Sequence, residues 1–198
     1  MIKAVICDMD GVLIDSHKAW WMMANETLTH FGKRRMSLER FDEVLWALPL
    51  DESAPLYFGA SWEEVQRYFT GRRDYFMKHL LAFQDVRPTL QGLKQRGLML
   101  GVATNSPRGF ARDTLNDVQL LEFFDAVRTG DDVVHGKPSP EMLLNILHTF
   151  TVAKQEALFV GDTNTDFEAA KNAGIPFVGM NFPSPQRIAT FSDILGLL

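Results

Sequence analysis

The chain has 198 residues, 46% of them apolar and 23% charged, which excludes a disordered or fibrous protein and allows one sizeable core with a modest second domain. Its formal net charge of -5 argues against nucleic acid as the main partner, because a grip on a phosphate backbone needs a basic face. The single cysteine, Cys7, excludes an internal disulfide and suits a reducing compartment.

Met1 to Cys7 is short, apolar and partly β-branched, and reads as a buried strand. Asp15-Ser16 offers a helix N-cap, and Trp20, Ala24, Leu28 and Phe31 then recur at helical spacing up to a stop at Gly32. Ser37 can cap a second helix carrying Leu38, Phe41 and Val44 or Leu45, with Pro49 ending it and Pro55 keeping the next stretch irregular. Ser61 and Glu64 form a capping-box pattern, and helix is expected from there to about Leu81, with Gly71 a weak point. No strand is expected between residues 33 and 83.

After Pro88 the pattern changes. A helix from Thr89 to Arg96 stops at Gly97, and a strand from Leu98 to Ala103 leads to Thr104-Asn105-Ser106-Pro107. A helix follows near 108–117, a short strand at Ala126-Val127, a helix from Pro138 to Phe150 and a strand at Leu158-Phe159-Val160. The last elements are a helix from Thr165 to Ala173 and a strand from Pro176 to Gly179.

Both ends of the chain thus alternate strand and helix, which implies an α/β fold: a Rossmann-like parallel sheet covered by helices on both faces. An all-helical segment interrupts the alternation. The expected division is a core of 1–15 and 85–198 with an inserted helical cap of 16–84. No segment approaches the roughly 20 apolar residues of a membrane span, and the N-terminus does not read as a signal peptide. The expectation is a cytoplasmic protein without membrane partners, a monomer or weak homodimer.

Asp8/Asp10, Thr104/Asn105 and Asp162/Asp166 all lie just past the carboxyl ends of expected strands, where open parallel sheets bind ligands. Lys137, in a loop before a helix, is a fourth member. Taken singly, such an aspartate is more often a turn former and such a lysine a solvated side chain. Together they point to chemistry. Four converging carboxylates repel one another unless a cation neutralises them, and oxygen-only ligands suit Mg²⁺. Asp8, nearest the strand, is the better-placed nucleophile, and Asp10 the acid that protonates a leaving oxygen and then activates water. Thr104 and Lys137 offer a hydroxyl and an ammonium to a transferring phosphoryl group, and Asn105 is grouped with them as substrate-binding.

The motifs Asp8-Met9-Asp10-Gly11-Val12-Leu13-Ile14-Asp15-Ser16, Thr104-Asn105, Gly136-Lys137-Pro138 and Gly161-Asp162-Thr163-Asn164-Thr165-Asp166 occur in order. With them the chain resembles the haloacid dehalogenase-like hydrolase superfamily, in its helical-cap branch of phosphoglycolate phosphatase-like and β-phosphoglucomutase-like enzymes. The resemblance implies that Asp8 is nucleophile and metal ligand, and that Asp10 is general acid/base with its carbonyl on the metal. It also implies that Asp162 is a ligand and that Asp166 is a ligand or holds a metal-bound water. The expected activity is Mg²⁺-dependent hydrolysis of a small phosphomonoester. A sugar-phosphate mutase is the alternative, and a non-catalytic binding protein a further one. A dehalogenase is disfavoured by Asp10 and Asp162. Such a cap is expected to close over the site and to read the substrate, with Arg72, Arg73, Lys78 and His79 as its candidate anion readers. Trp20, Trp21, Trp46 and Trp62 are expected to pack the cap, Cys7 to be buried and inert, and His135 to serve a turn.

Overall fold

The computed structural model describes every residue except 47 and 49. In chain order the elements are β1 (Ala4–Cys7), β2 (Ile14–Asp15), α1 (His17–His30), α2 (Leu38–Val44), α3 (Leu50–Ser53), a π-helical turn (Ala54–Phe58), α4 (Trp62–Gly71) and α5 (Arg73–Met77). There follow β3 (Leu81–Ala82), α6 (Val86–Gln95), β4 (Met99–Ala103), α7 (Arg108–Asp117), β5 (Ala126–Arg128), α8 (Glu141–Phe150), β6 (Ala157–Gly161), α9 (Asn164–Ala173), β7 (Phe177–Met180) and β8 (Arg187–Ile188). The chain forms two compact units, Met1–Ile14 with Ala82–Leu198, and Asp15–Leu81.

The first unit is a parallel sheet of order β5-β4-β1-β6-β7-β8 flanked by helices. Every residue of β1 and β6 is buried. Successive side chains of a strand point to opposite faces, so burial of all of them means that both faces are covered. Met142, Leu143, Ile146 and Phe150 of α8 and Ala169, Ala170 and Ala173 of α9 pack with Ile6, Ala103 and Phe159 of the sheet. Each large side chain withdrawn from water there contributes ~2 kcal/mol. Ile6 lies opposite Gly101 on one side and Phe159 on the other. From β1 the strand order runs outward both ways, which brings the carboxyl ends of β4, β1 and β6 side by side.

The second unit is all-helical apart from its ends. α1 buries Ala19, Met23, Ala24 and Leu28, and Trp20 packs edge-on to Phe69 and tilted against Phe76, with ring centroids 5.5 and 4.8 Å away. The Ser61–Glu64 capping box forms both of its hydrogen bonds, at 3.3 and 2.9 Å, and Ser37 accepts from the Arg40 N–H at the start of α2. Ser16 stands at the N-cap of α1 without a side-chain cap bond. Trp62 is exposed, unlike Trp20.

Several boundaries differ from those read in the sequence. The stop expected at Pro49 lies outside the described residues. Pro55 does not keep its stretch irregular: it occupies the first turn of a helical segment, where a missing N–H has no partner to lose. Pro88 enters the first turn of α6 for the same reason, so that helix begins at Val86. α8 begins only at Glu141, because Pro138 and Pro140 disfavour helix at the residues before them. Helix after Ser61 breaks at Arg72 and ends at Met77, and Leu81–Ala82 is a short strand paired with Ile14–Asp15. No helix among the described residues is long and apolar enough to cross a membrane.

Candidate active site

Asp8 follows β1 directly. Its N–H donates to the Val160 carbonyl at 2.8 Å, continuing the sheet ladder, so its backbone is held as firmly as the strand. The chain then turns through Gly11, at φ 77°, whose N–H donates to the Ile14 carbonyl at 2.9 Å. A Cβ on Gly11 would overlap the Asp162 carboxylate. Glycine is needed there both for the left-handed backbone and to let that carboxylate in. Asp10, in the same turn, accepts at Oδ2 from Ser106 Oγ at 3.1 Å.

β4 delivers Thr104, whose N–H donates to the Arg128 carbonyl and whose buried Oγ1 accepts from the Ser106 N–H at 3.1 Å. Asn105 spends its whole amide on Lys137. Its Oδ1 accepts from the Lys137 N–H at 2.8 Å and its Nδ2 donates to the Lys137 carbonyl at 3.0 Å. The loop before α8 is thereby clamped to the end of β4. Lys137 runs inward, 3% exposed, and its Nζ donates to Asp8 Oδ1 at 2.7 Å and Asp166 Oδ1 at 2.6 Å. Asp166 is placed by the start of α9: its Oδ2 accepts from Thr163 Oγ1 at 2.6 Å, while its own N–H donates back to Thr163. The bare Cα of Gly161 leaves room for it, since a Cβ there would lie 2.7 Å from the Asp166 carboxyl carbon.

The electrostatics follow from burial. Loss of water pushes the Asp8 carboxyl up to about 8; Lys137 pulls the other way, but Asp166 and Asp10 add to the rise. Burial likewise raises Asp162 well above the carboxylate range, helped by Asp166 and Asp8. Burial opposes the Lys137 ammonium, yet Asp166 and Asp8 outweigh it, so that its pKa is raised and it stays charged. The Cys7 thiol is pushed up by burial and then by Asp8, which makes it inert.

Oxygen atoms of Asp8, Asp162 and Asp166 lie within 4.8 Å of one another. Asp162 Oδ1 is buried with no hydrogen-bond partner. An orphaned carboxylate oxygen, an oxygen-only donor set and a shortage of positive charge together fit a hard divalent cation. The structure therefore brings Asp8, Asp162, Asp166 and Lys137 into one cluster, and Ser106 joins Asp10 to Thr104. Arg72 and Arg73 belong to the helical unit. Arg72 lies 3.5 Å from the Glu26 carboxylate and 5.6 Å over the Tyr68 ring, and Arg73 opens α5. The supporting roles of Thr163 and Ser106 were not anticipated. Thr163 with Asp166 does show a capping pattern in sequence, whereas nothing local announces that Ser106 meets a side chain 96 residues earlier.

A family model described as haloacid dehalogenase-like hydrolase matches residues 5–180. The chain belongs to the haloacid dehalogenase-like hydrolase family. Within the family, phosphoglycolate phosphatase of Escherichia coli (strain K12) is 41% identical over 100 residues, which span 50% of this chain and only 40% of that relative's length. Phosphoglycolate phosphatase of Photorhabdus laumondii is 36% identical over 100% of this chain and 92% of its own. Among solved structures, a HAD-superfamily hydrolase, subfamily IA, variant 1, from Geobacter sulfurreducens superposes with a TM-score of 0.83 at 34% identity, covering 100% of both chains. The Asp8/Asp162/Asp166 group is thus the aspartate cluster of a HAD-family chain.

Proposed function

We propose that the protein is a magnesium-dependent phosphomonoester hydrolase that passes through a phospho-aspartate on Asp8. The observation that carries this reading is the buried cluster at the end of β1. Asp8 is fixed by the sheet and by Lys137 at 2.7 Å, while Asp10 stands two residues away on a separate hydrogen bond. Two carboxylates so close in sequence, yet held by different partners, can divide nucleophile and acid between them.

An Asp8 oxygen attacks phosphorus, the bond from phosphorus to the leaving oxygen breaks, and Asp10 in its acid form passes its proton to that oxygen. The alcohol departs. Asp10, now a carboxylate, takes a proton from water as the water oxygen bonds phosphorus and the Asp8–phosphorus bond breaks. Orthophosphate leaves, with Asp8 and protonated Asp10 restored. Lys137 commits two of its three protons to Asp8 and Asp166, and the third is available to a phosphoryl oxygen. The Thr104 hydroxyl serves another. Mg²⁺, when bound, supplies charge to the phosphoryl oxygens. Asp8 and Asp162 would hold it, with the Asp10 carbonyl, and with Asp166 directly or through a water.

For substrate we infer a compact soluble phosphomonoester with a second anionic group, such as phosphoglycolate. The names of the E. coli and P. laumondii relatives support this, and Arg72 and Arg73 are the candidate readers of that group. Phosphate release from a panel of phosphomonoesters, with Mg²⁺ and with EDTA, tests both parts. Turnover that persists in EDTA rejects the mechanism; preference for an uncharged ester rejects the substrate class. Conversion of a sugar phosphate to its isomer without phosphate release would identify a mutase instead.

A further inference from the structure

Ser106 has no part in the steps above, yet it joins two groups that do. Its backbone N–H donates to Thr104 Oγ1 at 3.1 Å, and its hydroxyl donates to Asp10 Oδ2 at 3.1 Å. It is itself fixed: its carbonyl accepts from the Gly130 N–H, Pro107 follows it at the N-cap of α7, and the residue is 9% exposed. Asp10 sits in a turn beyond β1 rather than in the sheet, so its carboxyl depends on side-chain partners for orientation. The serine is one such partner, and it holds Oδ2. We propose that Ser106 is the positioning residue of the acid/base, aiming the Asp10 carboxyl at the leaving group. This rests on the assignment of Asp10 in the proposed mechanism.

The role has a signature that a merely structural one lacks. A proton from Asp10 matters most when the leaving oxygen is a poor one, as in an alkyl phosphate, and least for a stabilised phenolate. Ser106→Ala deletes the hydroxyl bond to Asp10 but keeps the backbone N–H that holds Thr104, so the grip on the phosphoryl group survives. The measurement is kcat/KM, which reports the step that forms the phospho-aspartate, for phosphoglycolate and for para-nitrophenyl phosphate. In Ser106→Ala the ratio of the two should fall by about tenfold, a fraction of the ~10²–10⁴ that a general acid contributes. Ser106→Thr, which retains the hydroxyl, should restore most of it. Equal losses on both substrates, with or without a lowered Tm, would overturn the proposal, as would a Thr variant no better than Ala. Asp10→Asn, assayed alongside, separates the two levels. If it shifts the ratio and Ser106→Ala does not, the serine's role alone fails. If it leaves the ratio where it was, the assignment of Asp10 fails and takes the serine's role with it.

Discussion

Replacing Lys137 with methionine keeps most of the stem and removes the ammonium from between two buried carboxylates. Removing one partner of a buried ion pair costs ~3–5 kcal/mol, because the remaining charge is left without water or counter-charge. Lys137, Asp8 and Asp166 side chains are 3%, 9% and 1% exposed, so solvent screening does little to soften the loss. Asp8 limits it instead: with its carboxyl pushed up to about 8, it carries a proton near neutrality, and the deficit then falls mainly on Asp166. About 3 kcal/mol, or roughly 10 °C in Tm for a chain of this size, is the expected loss near pH 7 without a divalent cation. The pH dependence follows from Asp8. Its folded value lies above its ordinary 3.8, so its contribution to stability is complete below that value and is lost as pH rises towards about 8. In the wild type the loss levels off above about 8, where Asp8 ionises against Lys137. In the variant it continues, because the lysine's lowering influence is gone. Thermal unfolding in EDTA should therefore show a larger deficit near pH 9 than near pH 6. An unchanged Tm would refute the buried pairing, and an equal deficit at both would refute the account of Asp8.

Asp8→Asn should lower phosphate release by roughly a thousandfold or more while leaving the circular dichroism spectrum intact, since an amide of the same shape cannot attack phosphorus. Residual turnover near wild type would refute Asp8 as nucleophile. Alanine at Arg72 or Arg73 should raise KM for phosphoglycolate about tenfold and for para-nitrophenyl phosphate far less, because only the former loses a charge-assisted contact. Equal rises on both would show that neither arginine reads the substrate.

The inner strands of the parallel sheet were legible because they are buried on both faces and read as short unbroken apolar runs, such as Ala-Val-Ile-Cys before Asp8, whereas the edge strand Arg187–Ile188, with its arginine exposed, was not. The gathering of Asp8, Asp162, Asp166 and Lys137 was legible because each follows a strand, precedes a helix or lies in a helix's first turn at one sheet edge. Helix limits near prolines were not. Periodicity cannot tell whether a proline falls in a first turn, where it is tolerated, as at Pro55 and Pro88, or just outside one, as at Pro138. Nor was the division of labour at the end of β4. Thr104, Asn105 and Ser106 are adjacent polar residues, but Asn105 turns to the Lys137 backbone and Ser106 to Asp10. Contacts 32 and 96 residues apart depend on how the loops pack, not on local spacing.

Charge balance links the cluster's stability to its chemistry. Four carboxylates, Asp8, Asp10, Asp162 and Asp166, share the Lys137 ammonium, and Asp162 Oδ1 has no hydrogen-bond partner. Asp8 attacks only as the anion, yet burial alone would leave it largely protonated at neutral pH. A cation bound by Asp8 and Asp162 must displace that proton, so the nucleophile becomes ionised as the site fills. Binding of Mg²⁺ should then release protons, and affinity should rise with pH, by up to about tenfold per pH unit for each proton displaced, with the share due to Asp8 ending at about 8. Calorimetry of the substrate-free protein in buffers of different ionisation enthalpy measures both quantities. Affinity that is flat between about pH 6 and 8, with no proton release, would mean that Asp8 is already ionised in the empty site and that burial does not govern it.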